Sequence, residues 1–279
     1  MMRIGARPRH ESFIVLRLRR VCHTLVSFRQ ALHFRSVPDV TTAMPPMNVP
    51  ANRFAISLED IQLAADRIQP HVLRTPAVGC ETLSERLGCK VLFKAENLQH
   101  TGAFKARGAT NSVMSLDDGA AERGVITHSS GNHAAALARA ARLRGIPAHV
   151  VMPENSSPRK IESVKSYGVT PFFCEPTTPA REAMTERLQT ETGATLVHPF
   201  ESPSVIAGQG TVGLEILNQV PTVDAIFVPV GGGGLLAGVL MAVKSLRPEI
   251  KVYAVEPQFA DDTARSLEVG SPQACLLYT

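Results

Sequence analysis

The chain has 279 residues, enough for one large or two ordinary domains, and 44% of them are hydrophobic, ample for a buried core. The net charge of +4 comes from the front, where residues 1–35 hold eight arginines and one acid, Glu11, so the near-neutral remainder offers no surface for nucleic acid. No apolar run approaches bilayer-spanning length, and the five cysteines, at 22, 80, 89, 174 and 275, show no paired or metal-ligand spacing, which fits a reducing compartment.

Residues 1–52 read as an extension outside the fold. They are Arg-rich and acid-poor and run into Met44-Pro45-Pro46-Met47-Asn48-Val49-Pro50, the composition of a transit-like leader or an over-extended start. A helix is predicted over 57–67, with Ser57 as cap and Glu59 and Asp60 in its first turn. A strand follows at 90–95. Gly102-Ala103-Phe104-Lys105-Ala106-Arg107-Gly108-Ala109 then places one lysine in an apolar, glycine-flanked turn ahead of a helix over 105–114. Burial disfavours the ammonium form, and a neutral amine is what Schiff-base chemistry with an aldehyde cofactor requires. Alone, such a lysine is more often a surface residue.

The apolar residues 124–126 read as a strand entering Thr127-His128-Ser129-Ser130-Gly131-Asn132-His133-Ala134, with a helix over 134–143. Small residues at a strand-to-helix turn let the backbone approach a ligand closely. A plain helix cap by Ser129 or Ser130 is the competing use. Strands at 148–152 and 171–174 alternate with helices at 159–167 and 180–192. Gly208-Gln209-Gly210-Thr211-Val212-Gly213 satisfies G-x-G-x-x-G, but no clear strand precedes it and no acid follows at the right distance, which argues against a nicotinamide site. Residues 225–230 read as a strand feeding Gly231-Gly232-Gly233-Gly234 and a helix over 235–246. Four glycines are costly in chain entropy, so a mere connector is a poor use for them. Strand, glycine loop and helix start together make an anion site. A Schiff-base lysine plus a phosphate cradle points to pyridoxal 5'-phosphate. A zinc site on His128 and His133 lacks a third ligand. The alternation of strands and helices predicts an α/β fold with parallel sheets covered on both faces.

On these motifs, and on Phe93-Lys94-Ala95-Glu96-Asn97, the chain resembles the fold-type II pyridoxal-phosphate enzymes of the serine racemase and serine/threonine dehydratase group, from about residue 54 to about 270. The resemblance implies two open parallel-sheet α/β domains with the cofactor in the interdomain cleft. A large domain would comprise 53–123 and 202–274, incomplete at its C-terminus, where the family places the partner of the pyridine nitrogen. A small domain would comprise 124–201, and 275–279 would be a non-native tail. Lys105 would form the Schiff base and act as base on one face, Phe104 would pack against the ring, and Asn132 would bond the 3'-oxygen. Gly231, Gly232, Gly233 and Gly234 would hold the phosphate. Ser129, Ser130, Gly131, Asn132 and His133 would receive the substrate carboxylate.

Ser130, where biosynthetic threonine dehydratases usually have alanine, would return a proton on the second face. Phe200, where serine racemases often have a polar residue, tilts toward dehydration instead. Glu256, the carbonyl of Ala260 and Asp262 match the family's divalent-cation site, with hard oxygens suited to Mg2+ or Ca2+. The implied activity is racemisation of L-serine, β-elimination from serine or threonine to a 2-oxo acid and ammonia, or both. The alternatives are a threonine or 3-hydroxyaspartate dehydratase without racemase activity, or an inactive fragment. A homodimer is implied for the full-length protein, with no membrane partner, and a cytoplasmic location unless the N-terminal extension is a genuine mitochondrial leader.

Overall fold

The computed structural model describes residues 55–273, together with the backbone of two N-terminal strands, β1 (Phe13–Leu18) and β2 (Arg35–Ser36). The first helix, α1 (Leu58–Ile68), opens with a reciprocal cap: Ser57 Oγ accepts from the Asp60 amide at 3.2 Å, and Asp60 Oδ2 accepts from the Ser57 amide at 2.8 Å. There follow β3 (Ala77–Gly79), α2 (Glu81–Leu87) and β4 (Lys90–Ala95). After two short 3-10 turns come α3 (Lys105–Met114), α4 (Asp118–Arg123), β5 (Val125–His128), α5 (Asn132–Arg144) and β6 (Ala148–Pro153). The chain continues through α6 (Pro158–Lys165), β7 (Phe172–Cys174), α7 (Thr178–Thr192), β8 (Thr195–Leu196) and α8 (Pro203–Gln219). It closes with β9 (Val223–Pro229), α9 (Gly234–Leu246), β10 (Lys251–Glu256) and α10 (Asp262–Val269).

The strands form two sheets. The smaller, in order β7-β6-β5-β8, is wholly parallel. The larger has the order β2-β10-β9-β1-β4-β3, with β10 parallel to β9. Strand β1 runs antiparallel to both β9 and β4, so those two point the same way across it. This pairing departs from the expectation that residues 1–52 stand outside the fold. Residues 13–18 read FIVLRL, a run of strand-forming residue types, and a strand between β9 and β4 supplies the backbone partners that both require. The arginines around it dominate the composition and hide the run. The segment 275–279 lies outside the described residues. Among those described, no helix is long and apolar enough to cross a membrane.

The main core lies where β9 and β10 meet α8 and α9, with Ile226, Val228, Val239, Val243 and Val252 fully buried. Helix α8 carries the G-x-G-x-x-G pattern in its interior, far from any strand end, which removes the dinucleotide reading. Its glycines serve packing: a Cβ on Gly208 would stand 2.6 Å from the Cα of Gly108 on α3, and one on Gly210 would stand 3.0 Å from the carbonyl of Gly238 on α9. Three helices therefore touch backbone to backbone. Gly208→Ala is expected to destabilise the fold by about 1–3 kcal/mol, because neither contact is a yielding side-chain tip. Urea unfolding checks this, and an unchanged midpoint would show that α3 and α8 can part freely.

This architecture gathers three strand ends. The carboxyl ends of β4, β5 and β9 lead into the Lys105 turn, the Ser129–His133 turn and the tetraglycine loop, respectively.

Candidate active site

Lys105 is the first residue of α3, and its Nζ donates to the carbonyl of Pro199 at 2.7 Å. Burial lowers its pKa to about 8, bringing the neutral amine within reach of ordinary pH. The same Nζ lies 5.1 Å from the centroid of the Phe104 ring, which also packs against the main core.

Two helix starts flank this lysine's surroundings without side-chain caps. At α5 the cap position is Gly131, and Ser129 Oγ accepts from the Gly131 amide at 3.2 Å rather than capping the helix. Ser129, Ser130 and Gly131 are half-buried and Asn132 is exposed. At α9 the cap position is Gly233, at φ 79°, a conformation that L side chains rarely adopt. Gly231 and Gly232 are exposed, and nothing lies within 4 Å of where a Cβ on Gly231 or Gly233 would sit. Amides at an open, uncapped helix start fit the phosphate of pyridoxal phosphate.

One segment joins these parts. Val197 O sits 3.1 Å from His133 Nε2, Pro199 O holds Lys105, and the Phe200 ring covers Gly232, where a Cβ would lie 2.2 Å from ring carbon. His133 is buried and its pKa falls to about 3, mainly through burial. It is therefore neutral, and the nearby Lys105 charge lowers its pKa further. The rings of His128, His198 and Phe200 stand edge to face, at 5.4 and 4.6 Å between successive centroids. Burial lowers the pKa of both His128 and His198. Among the described residues no group of three His, Cys, Asp or Glu side chains that could hold a metal ion is gathered.

At the far end of β10, Glu256 is buried and its two carboxylate oxygens accept from the amides of Thr263 at 3.0 Å and Ala264 at 2.9 Å, so it anchors the start of α10. Ala260 and Asp262 lie in that same turn, with the Ala260 amide bonded to Pro257 O. The donor set is all oxygen, and a carboxylate has lone pairs beyond the two used here, so these residues fit a hard divalent cation.

Sequence reasoning missed two features. The first is the Pro199 carbonyl, since a backbone acceptor leaves no residue signature. The second is a buried ionic cluster of Lys94, Glu96, Arg107 and Glu215 behind Lys105. Its signal was available: single charges set in apolar β4 and in apolar α8 require partners.

Comparison with known proteins accords with this geometry. Residues 68–276 match the family described as pyridoxal-phosphate dependent enzyme. The serine racemase of Oryza sativa subsp. indica is 48% identical over 217 residues, 78% of this chain and 64% of that protein. The beta-hydroxyaspartate dehydratase of Paracoccus denitrificans (strain Pd 1222) is 49% identical over 212 residues, 76% of this chain and 67% of that protein. The solved structure of maize serine racemase superposes with a TM-score of 0.78 at 48% identity, covering 79% of this chain and 67% of that one. The chain thus spans 64% of the length of its rice relative. A lysine with a lowered pKa, an open glycine cradle and the match over residues 68–276 lead to one assignment: the chain belongs to the pyridoxal-phosphate dependent enzyme family.

Proposed function

We propose that this chain carries the cofactor site of an amino-acid racemase/dehydratase acting on serine or threonine. The observation that carries the reading is Lys105, held with a lowered pKa at a helix start among two uncapped, glycine-bearing turns. The relatives named serine racemase and beta-hydroxyaspartate dehydratase support it. In this reading the division into 53–123 with 202–274 and 124–201 is the division between the two walls of the cleft. In the same reading the full-length protein is a homodimer, located in the cytoplasm unless the N-terminal extension is a genuine mitochondrial leader.

When bound, pyridoxal phosphate supplies an aldehyde that condenses with an amine and a ring that takes up electrons from a carbanion. The amides of Gly231, Gly232, Gly233 and Gly234 would hold its phosphate, Asn132 would bond its 3'-oxygen, and Phe104 would support the ring. Ser129 to His133 receive the substrate carboxylate through backbone amides at the start of α5. The Lys105 amine takes the Cα proton from one face, and in the cofactor-free chain Pro199 O holds that amine. Ser130 Oγ returns a proton to the opposite face, and the enantiomer follows. Loss of the β-hydroxyl with a proton, as water, instead leaves an enamine that a water molecule hydrolyses to a 2-oxo acid and ammonia. Glu256, the Ala260 carbonyl and Asp262 would hold Mg2+ or Ca2+, whose chemistry there is structural, tying β10 to α10.

A second reading, dehydration without racemisation, is favoured by Phe200, whose apolar ring stands on the glycine loop. Ser130→Ala separates the two. In the protein loaded with cofactor and given L-serine, chiral separation should show D-serine formation falling by about 10²-fold or more while pyruvate formation stays within several-fold. Pyruvate with no D-serine from the parent protein would establish the second reading.

A further inference from the structure

Two residues beyond Lys105, Arg107 turns the opposite way, into the body between β4 and α8, where it is fully buried. Its guanidinium forks onto Glu96, Nε to Oε2 at 2.8 Å and Nη2 to Oε1 at 2.8 Å. A second pair of bonds reaches Glu215 on α8, Nη1 to Oε1 at 2.6 Å and Nη2 to Oε2 at 3.0 Å. Glu215 also accepts from Lys94 Nζ, which donates further to Thr75 O at 2.6 Å and to Gln219 Oε1 at 3.0 Å. Two cations thus face two anions. Burial opposes the charge on Arg107, but Glu96 and Glu215 more than offset it and raise its pKa. Burial lowers the pKa of Lys94.

A buried ion cluster is weak evidence for stability, since well-packed apolar residues often do as well. What a fork-to-fork pair adds is direction. The Glu96–Arg107 pair closes the loop that contains Lys105, with one anchor before the lysine and one after it. Within that loop Gln99 is staked to residue 73, its Nε2 donating to Leu73 O at 2.7 Å and its Oε1 accepting from the Leu73 amide at 3.0 Å. Thr101 sits at φ 62°, a strained conformation that the surrounding anchors hold in place.

We propose that Glu96, Arg107 and Glu215 form a positioning clamp for Lys105, fixing where its amine lies against the Pro199 carbonyl and how far it is withdrawn from water. The proposal rests on Lys105 being the Schiff-base lysine. Arg107→Lys keeps the charge and loses the fork. The first readout is the pH dependence of trinitrobenzenesulfonate labelling at Lys105 in the cofactor-free full chain, located by peptide mass spectrometry. The labelling midpoint should lie near 8 in the parent chain and move toward lysine's ordinary value in the variant. In the holoenzyme kcat should fall by about 10–100-fold, with KM changed far less. A folded variant whose labelling midpoint stays where it was, whatever its melting temperature, would overturn the clamp. Where Arg107→Lys does not fold, Glu96→Gln is read by the same midpoint. Borohydride fixation of the cofactor followed by peptide mapping keeps the two ideas apart. A pyridoxyl label on a residue other than Lys105 would sink the functional reading, while the midpoint reports on the clamp alone.

Discussion

Lys105→Met is expected to lower turnover by at least about 10³-fold and, at the same time, to make the cofactor-free chain more stable at pH 7. The second effect follows from proton linkage. In the unfolded chain the lysine keeps its proton up to about 10.5, and in the fold only up to about 8, because burial disfavours the ammonium. Between those values the unfolded state binds more protons, so the parent chain gains stability as pH rises through that window. Below pH 8 the fold carries an ammonium it would rather shed, and methionine removes it. The variant's advantage should therefore be full at pH 7, shrink from pH 8 upward and vanish near pH 10.5. Thermal melts at pH 7 and pH 10.5 decide the matter, and an equal shift at both would contradict the assigned burial.

Glu96→Ala carries the largest expected loss of stability. Glu96 is fully buried and accepts two of the four bonds that Arg107 makes to carboxylates, and Thr75 Oγ1 donates to it as well. Removing one partner of a buried pair leaves the other charge without compensation, at a cost of about 3–5 kcal/mol. Against a total of about 5–15 kcal/mol, that brings a domain near its threshold. Glu96→Gln, which keeps acceptor and shape, should cost less. Urea titrations of both variants test the order, and a loss for Glu96→Ala below about 1 kcal/mol would mean that Glu215 takes over the whole guanidinium.

The parts of the site legible in the sequence are those where residue type and backbone demand coincide. A tetraglycine run is needed where Gly233 adopts φ 79° and Phe200 leaves no room at Gly232, so the loop could be read directly. The capped start of α1 and the limits of β4 and α3 are local matters, and they match expectation. What stayed hidden joins distant positions. Arg107 and Glu215 are 108 residues apart, and Lys105 and Pro199 are 94 apart, so no local periodicity relates them. Strand β1 was missed for a related reason: its partners at 90–95 and 223–227 lie far along the chain, while its immediate neighbours are arginine-rich. His133 is buried and Asn132 beside it is exposed, a difference that the motif by itself does not carry.

The three site segments leave β4, β5 and β9 at the same kind of end. The connections that enter strands, such as 166–171 before β7 and 247–250 before β10, carry none of the residues assigned a chemical role. For protein engineering this polarity is practical guidance. Tags, reporters or inserted loops belong at the entering connections, where backbone can be lengthened at small entropic cost and the cleft keeps its shape.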